Sequence, residues 1–331
     1  MHFPEPPPAG APDEPENRMT FDKFLALSQT AMELGLINSL TVLSLFLSYS
    51  MLNVCDLSTD GCFTLGAAAG ALVAIAGQPW LSLPAAMLAG ALSGLVTALL
   101  QTRMGIQSLL AGIVVNTALY SVNMALTGNK ATLSMNKVPT VFSMARDALK
   151  STPFSSVSTL LVALFFVLLV GAFLCLFLKT RLGLAVRATG SNADMVRSSS
   201  INPAFTTTVG LCISNSFTAL SGCLMAQQQK SFDINMGSGM VTVALASLLI
   251  GGVFFGKHRP IPLRVLGVVL GAFLFRLVYA LALRLDMPAF MLKAVSSIIV
   301  ILAISGPYLH SQLPVMRQHM RAARERRRDG C

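Results

Sequence analysis

Residues 179–205 read KTRLGLAVRATGSNADMVRSSSINPAF, a polar, basic island set between two long apolar runs. Lys179, Arg181, Arg187 and Arg197 outnumber the single acid Asp194. Lys and Arg gathered in a short loop between apolar segments mark that loop as cytosolic. Ser191, followed three residues later by Asp194, fits a capping box that starts a short helix carrying Met195 and Val196 on one side. A structured loop on the cytosolic side is a docking surface in waiting.

Working outward, the flanks of the island are too apolar for a protein folded in water. The 331 residues are 54% hydrophobic and only 11% charged, with a mean hydropathy of +0.68. Such a chain uses lipid as its solvent. A helical span needs about 20 apolar residues, and the uncharged runs predict spans at 34–53, 62–77, 80–101, 106–127, 157–178, 205–226, 239–256, 263–283 and 289–306. The fold class expected is an all-α polytopic membrane protein, a helical bundle of about 8–10 transmembrane segments.

With the island inside, the segment around Lys257, Arg259 and Arg264 also falls inside, as does the tail RQHMRAARERRR from Arg317, so three basic segments agree on one orientation. The loops at 128–156, 227–238 and 284–288 then lie outside, the first of them against the trend with Lys130, Lys137, Arg146 and Lys150. Residues 1–22 begin MHFPEPPPAGAPDEPENR, a Pro-rich acidic leader expected to be disordered. It has no secretory pattern, lacking both a basic start and an apolar core. The bundle is expected over 23–313 and the basic cytosolic tail over 314–331.

The run Gly183 to Asn202, GLAVRATGSNADMVRSSSIN, resembles the cytosolic coupling loop of permeases from ATP-binding-cassette importers of the branched-chain amino acid, ribose and nucleoside type. Gly183, Arg187, Ala188, Gly190, Asn192, Ile201 and Asn202 match that pattern, while Ser200 stands where the family usually has Gly. The resemblance implies that the loop 179–204, with Gly183, Arg187, Gly190, Asn192, Met195, Val196 and Asn202, contacts an ATPase.

Between the first two apolar runs lies Asn53-Val-Cys-Asp56-Leu-Ser-Thr59-Asp60-Gly61. Carboxylates near hydrocarbon persist only where they face protein or water, and broken helices at the midplane are where many transporters bind substrate. A broken segment is therefore expected near 55–61, and it admits two readings. Asp56 and Asp60 either line a pathway or cap the helix beginning near Cys62. The longer stretch Leu52 to Gly66, LNVCDLSTDGCFTLG, is similar to an Asp-Leu-x-Thr-x-Asp-Gly signature in a subgroup of these permeases paired with amino-acid-type binding proteins. Nine simple spans would leave the leader outside, whereas a re-entrant segment here would return it to the cytosol, the arrangement the resemblance favours.

Gly66–Gly70, Gly90–Gly94 and Gly267–Gly271 are small-x-x-x-small steps that bring helix backbones together in lipid. Asn116 and Asn123 share one helical face beside Thr117. They either line the pathway or bond between helices. Candidate pathway residues are thus Asp56, Thr59, Asp60, Asn116, Thr117 and Asn123. Arg276 and Lys293 are charges within apolar spans near the outer ends, where long side chains snorkel to the interface. The resemblance leaves room for a structural Arg–Lys pair at the outer mouth instead.

Gly251–Lys257 has the spacing of a phosphate-binding loop, but His258 replaces the Ser or Thr that would hold magnesium, and no strand precedes it. No cofactor is expected. The six cysteines form no CxxC pair and the four histidines are scattered, so spacing assembles neither a metal site nor a catalytic one. The basic tail suits anionic lipid better than nucleic acid. The reading reached is a non-enzymatic permease of the bacterial plasma membrane, probed by resemblance to import a small amino acid or related solute. Its implied partners are a cytosolic ATP-binding-cassette ATPase, an extracytoplasmic solute-binding protein and a second permease subunit, most simply a copy of itself. The alternative is an ion-coupled secondary transporter using Asp56, Asp60, Arg276 or Lys293 as relay groups.

Overall fold

The computed structural model describes residues 14–148, 150, 157–255 and 259–284, with single helical positions at 294, 297, 298, 301 and 305. Residues 1–13, Lys257, His258, Lys293 and the basic tail lie outside the described residues, as does nearly all of the span expected at 289–306.

Helix α1 (Glu14–Leu45) continues into a π-helical turn, Phe46–Met51. The helix begins inside the expected disordered leader, which is a correction to the boundary at 22. Pro15 in the first turn lacks only an N–H that would be unpaired there anyway. After a non-helical stretch over 52–58 come α2 (Thr59–Ile75), α3 (Pro79–Thr102) and α4 (Ser108–Leu126). Strand β1 (Thr132–Ser134) and the short helix α5 (Val141–Ala148) lead to α6 (Ser158–Phe177). The basic island forms α7 (Arg181–Ser191) and α8 (Ala193–Ser198), followed by α9 (Pro203–Gln229). Strand β2 (Ser231–Asp233), α10 (Met240–Phe255) and α11 (Ile261–Arg284) complete the described chain.

Among the described residues six helical segments, from Met32–Met51 through Ile261–Ala282, are long and apolar enough to cross a bilayer. The chain is an all-α polytopic membrane protein, apart from one small pairing of β1 with β2. That antiparallel pair, with Leu133 opposite Phe232, ties the 128–156 loop to the segment after α9, the two longer connections that the charge pattern assigns to one side. Met135, Phe232 and Ile234 pack with Ala67, Ala68, Ala71 and Ala74 of α2 beneath it.

Helices α1 and α9 form the buried centre, while α3, α4 and α6 turn apolar flanks such as Leu88, Leu92, Val114, Phe165 and Leu168 outward. The small-residue steps make the central contacts. A Cβ on Gly66 would overlap the Ala219 backbone, on Gly70 the Cys223 sulfur, on Gly90 the Asn215 carbonyl, and on Gly271 the Ser247 carbonyl. Lipid tails are as apolar as Leu, so close backbone packing of this kind replaces the hydrophobic drive in holding helices together.

Helix α1 enters the bundle from the end opposite α7–α8. Its Glu33 meets Gln228 at the far end of α9, whereas Met51 and Leu52 lie against Gly190 of α7. The amino-terminal side of α1, as far as it is described, thus lies away from the α7–α8 end, which differs from the expectation that a re-entrant segment brings it back there. Seven residues at 52–58 and the 17-residue α2 together make the return crossing.

Replacing Gly66 by Val would force α2 away from α9 at a point where backbone, not a flexible side chain, is the neighbour. We predict a loss of about 3 kcal/mol in stability, read as a lowered thermal midpoint of the detergent-solubilised protein. An unchanged midpoint would contradict this packing.

Candidate functional site

Two regions carry the residues singled out by sequence: the interruption before α2, and the α7–α8 platform. The interruption is held by hydrogen bonds rather than by helix. Asp56 is 1% exposed. Its Oδ1 accepts from the Ser58 amide at 2.8 Å and the Ser58 hydroxyl at 2.6 Å, and its Oδ2 accepts from Asn215 Nδ2 of α9 at 3.0 Å. Thr59 Oγ1 donates to the Asp56 carbonyl at 2.9 Å. One carboxylate thus closes the turn that starts α2 and pins it to the central helix.

Asp60 does the same for a different helix. Its Oδ2 accepts from the Gly239 amide at 2.9 Å and its Oδ1 from the Val241 amide at 2.8 Å. These are free N–H groups at the start of α10, where the helix dipole favours negative charge. Helices α2 and α10 therefore begin beside one another, and each is short: 17 and 16 residues. At about 1.5 Å per residue each covers roughly 25 Å, less than a hydrocarbon core of about 30 Å. The remaining depth is filled by 52–58 on one strand of the crossing and by 234–239 on the other. Gly237 in the latter donates its amide to Thr64 Oγ1 at 3.2 Å and lies so close to the Asp60 carbonyl that a Cβ would overlap it.

Asn116 and Asn123 both face α2, as their spacing predicts. Asn123 Nδ2 donates to the Gly61 carbonyl at 3.2 Å, and the Asn116 side chain lies over the Gly61 Cα. Thr117 points away from this group, is exposed, and back-bonds to Ile113 of its own helix. The structure therefore brings together Asp56, Thr59, Asp60, Asn116 and Asn123 and leaves Thr117 apart. Sequence reasoning missed Asn215 and Ser58, the partners of Asp56. Both are polar residues in or beside apolar runs, and that was the available signal. Further buried hydroxyls, Ser93 and Thr97 of α3, extend the polar cluster, with Thr97 Oγ1 donating to Ser58 Oγ at 3.4 Å.

On the platform, the cap differs from the expected one. Ser191 ends α7, and Asn192 caps α8, its Oδ1 accepting from the Asp194 and Met195 amides at 3.0 Å each. Asn202 caps α9 in the same way through the Ala204 amide. Ser200, standing at the position where glycine is usual in the resembling loops, has φ +62°, the left-handed conformation that glycine adopts without cost. The serine keeps the turn rather than changing it. Gly183 fits tightly under the Phe177 carbonyl, and Gly190 against the Met51 carbonyl. Arg187 is half-exposed on α7.

Met195 and Val196 do not share an exposed face. Met195 is 68% exposed and Val196 only 4%, because neighbours on a helix are about 100° apart and the short α8 lays Val196 against its own bundle. This corrects the assignment of Val196 to the docking face. Leu182, Leu184, Ile201 and Phe205 of α7, α9 and the turn between α8 and α9 are also exposed, as are Arg181 and Arg197. The platform meets the chain before the interruption through Gly190, which lies against the Met51 and Leu52 backbone; Thr189 and Thr206 hydroxyls, 2.7 Å apart, join α7 to α9, and Arg264 of α11 donates to Ser50 Oγ of the π-helical turn at 3.0 Å beside the Phe46 ring.

Arg276 corrects the snorkelling expectation. Its stem packs on Gly35 of α1. With the Asn38 amide oxygen turned toward α11, Asn38 accepts from Arg276 Nε at 3.0 Å and from Nη2 at 2.6 Å. It is a strut between two helices rather than a side chain reaching for the interface.

A crossing interrupted at two abutting helix starts, with a capped polar platform at one end, defines a membrane transport component. The comparisons agree. Residues 29–304 match the family described as branched-chain amino acid transport system / permease component, and the chain belongs to this family as a multi-pass permease of the bacterial plasma membrane. It is 33% identical over 285 residues to the tyrosine transport system permease protein of Clostridioides difficile (strain R20291), covering 86% of this chain and 92% of that one. It is also 32% identical over 226 residues to an uncharacterized protein of Rickettsia prowazekii (strain Madrid E), covering 68% of this chain and 77% of that one. No solved structure matches. Of the relay groups that the ion-coupled alternative used, Asp56, Asp60 and Arg276 are hydrogen-bonded between segments and Lys293 lies outside the described residues, while the family match speaks for the permease of a transport system.

Removing the Asp60 carboxylate strips the start of α10 of its cap. We expect Asp60→Ala to cost about 2 kcal/mol or more, since two inward-facing amides lose their acceptor, and Asp60→Asn to cost about 1 kcal/mol. Thermal midpoints of the purified variants give the order. If Asp60→Asn matched the parent in stability and yet lost transport, the carboxylate would belong to the pathway and not to the cap.

Proposed function

We propose that this chain forms the translocation unit of an ATP-driven importer for an amino acid or a closely related small solute. The observation that carries the reading is the pairing of the family membership with the α7–α8 platform. The platform carries the exposed Met195 together with exposed Leu182, Leu184, Ile201 and Phe205 and the basic Arg181 and Arg197. An apolar anchor inside a polar rim is the form of a protein docking site. In this reading the platform faces the cytosol, as its Lys and Arg content requires, and receives an ATP-binding-cassette ATPase. ATP hydrolysis belongs to that partner, and the chain itself makes and breaks no covalent bonds.

The same reading places a solute-binding protein at the opposite end. A second copy of the chain and membrane lipid cover the apolar flanks of α3, α4 and α6 between them. Asp56, Thr59, Asp60, Asn116 and Asn123 shape the interrupted crossing beside which the solute passes, and Thr117 stands on the flank open to the second copy. ATPase closure would push Met195 and, through Gly190 and the π-helical turn, shift the interruption. The amino acid as cargo rests on the family description and on the tyrosine permease of Clostridioides difficile.

Proteoliposomes carrying the chain with its ATPase, supplied with the binding protein, should accumulate L-tyrosine or a branched-chain amino acid only when ATP is present on the ATPase side. Uptake driven by a sodium or proton gradient without ATP would defeat the proposal.

The platform has its own test. Met195→Asp should leave the fold intact, because an exposed substitution costs within about 0.5 kcal/mol, yet the ATPase should no longer co-purify. Val196→Asp should instead lower the yield of folded permease, an unpaired charge in a packed site costing a few kcal/mol. Full ATPase retention by Met195→Asp would remove α8 from the docking surface.

A further inference from the structure

At the end of the bundle opposite α7–α8 there is a cavity of about 80 Å³ lined by Glu33, Thr140, Ser143, Arg146, Gln228 and Lys230, among others. Four separate elements meet there: α1, the start of α5, the start of α6 and the end of α9. Their walls are fixed. Gln227, fully buried, accepts from the Val141 amide at 2.9 Å through Oε1 and donates to Ser82 Oγ at 2.7 Å through Nε2, which locks α5 onto α9. Thr140 and Ser143 cap α5 reciprocally, amide to hydroxyl, at 2.8 and 3.1 Å.

Glu33 is the unusual member. Its side chain lines the cavity while the residue is only 8% exposed. Its hydrogen bonds are two long amide contacts, from Gln29 at 3.4 Å and Gln228 at 3.5 Å. No Lys or Arg nitrogen lies within ion-pair distance of it among the described residues. Its open side is the cavity, so a cation entering there meets a carboxylate whose hydrogen bonds are both long. Across from it stand two cations. Lys230 is the left-handed cap of α9, with φ +52°, and Arg146 is exposed on α5. Asp147, beside Arg146 in the chain, is ion-paired with Lys150 at 2.6 Å.

A buried negative wall facing a positive rim across a space of this size is complementary to one small dipolar ion. We propose that the cavity is an outer receiving subsite for the head group of an α-amino acid, its ammonium at Glu33 and its carboxylate at Arg146 and Lys230, occupied before the solute enters the crossing. The side chain of the solute points out of the mouth, so the subsite reads the common head rather than the variable part. This assignment rests on the amino-acid reading above and adds a place of recognition in the permease itself.

The test uses the full chain assembled with its ATPase in lipid nanodiscs, without binding protein, titrated with L-tyrosine, tyramine and 3-(4-hydroxyphenyl)propionate. L-Tyrosine should bind saturably, and the two analogues, each lacking one charge of the head, about ten-fold or more weaker. Glu33→Gln, which keeps size and hydrogen bonding, should weaken L-tyrosine by about ten-fold, equivalent to about 1.4 kcal/mol, and Arg146→Gln by a smaller factor. Should Glu33→Gln fold poorly, the exposed Arg146→Gln carries the test alone. Tyramine binding as tightly as L-tyrosine, or both variants binding like the parent, would overturn the subsite. No L-tyrosine binding alongside normal ATP-driven uptake by the parent and by Glu33→Gln would overturn the subsite and leave the importer standing. No binding and no amino-acid uptake would bring down both.

Discussion

The structure depends on how backbone is satisfied where a crossing is not helical. In hydrocarbon every unpaired N–H and C=O is costly, so irregular chain at membrane depth survives only inside protein with partners supplied. Here the partners are two carboxylates four residues apart in sequence. Asp56 closes the turn before α2 and fastens it to Asn215 of α9, and Asp60 caps α10 across the junction. Two short helices can begin side by side because one side chain from the first satisfies the start of the second. Without that exchange the 52–58 and 234–239 stretches would be orphaned backbone in a bilayer.

Close packing around α9 makes this arrangement durable. Glycines on α2 and α3 let both helices ride on the α9 backbone, and hydroxyls knit α1 to the same helix, with Ser44 placed 2.9 Å from Ser214 and 2.7 Å from Thr218. The outer helices keep broad apolar flanks for lipid or for a second copy. The molecule therefore has a stiff centre beside a jointed crossing. The joint is where a conformational cycle has least to break, since hydrogen bonds there are few and individually replaceable.

Each end of the bundle serves this joint differently. At one end Gly190 lies on the chain just before the interruption, and Arg264 links α11 to the π-helical turn, so a push on α7–α8 has a short mechanical path to the break. At the other end the β1–β2 pair and α5 hold the long connections over α9, and α1, α5, α6 and the end of α9 line a polar recess. In the proposed cycle the first end receives energy and the second receives solute.

Much of this was legible in the residues alone. Apolar run length gives the spans, because lipid thickness sets a minimum helix length. Lys and Arg asymmetry gives an expected orientation, and glycine spacing gives the helix seams. The acids at 56 and 60 mark the interruption because charge in hydrocarbon must be accounted for. What the residues could not decide was which partner each polar group finds. The cap on α8 is Asn192 and not Ser191, and Val196 turns inward while Met195 stays out. Arg276 braces Asn38 instead of reaching for water, and the leader side of α1 lies opposite the platform. Glu33, ordinary in sequence, becomes a buried acid on a cavity wall. All of these depend on contacts between segments far apart in the chain, and local spacing carries no information about which distant backbone will arrive beside a given side chain.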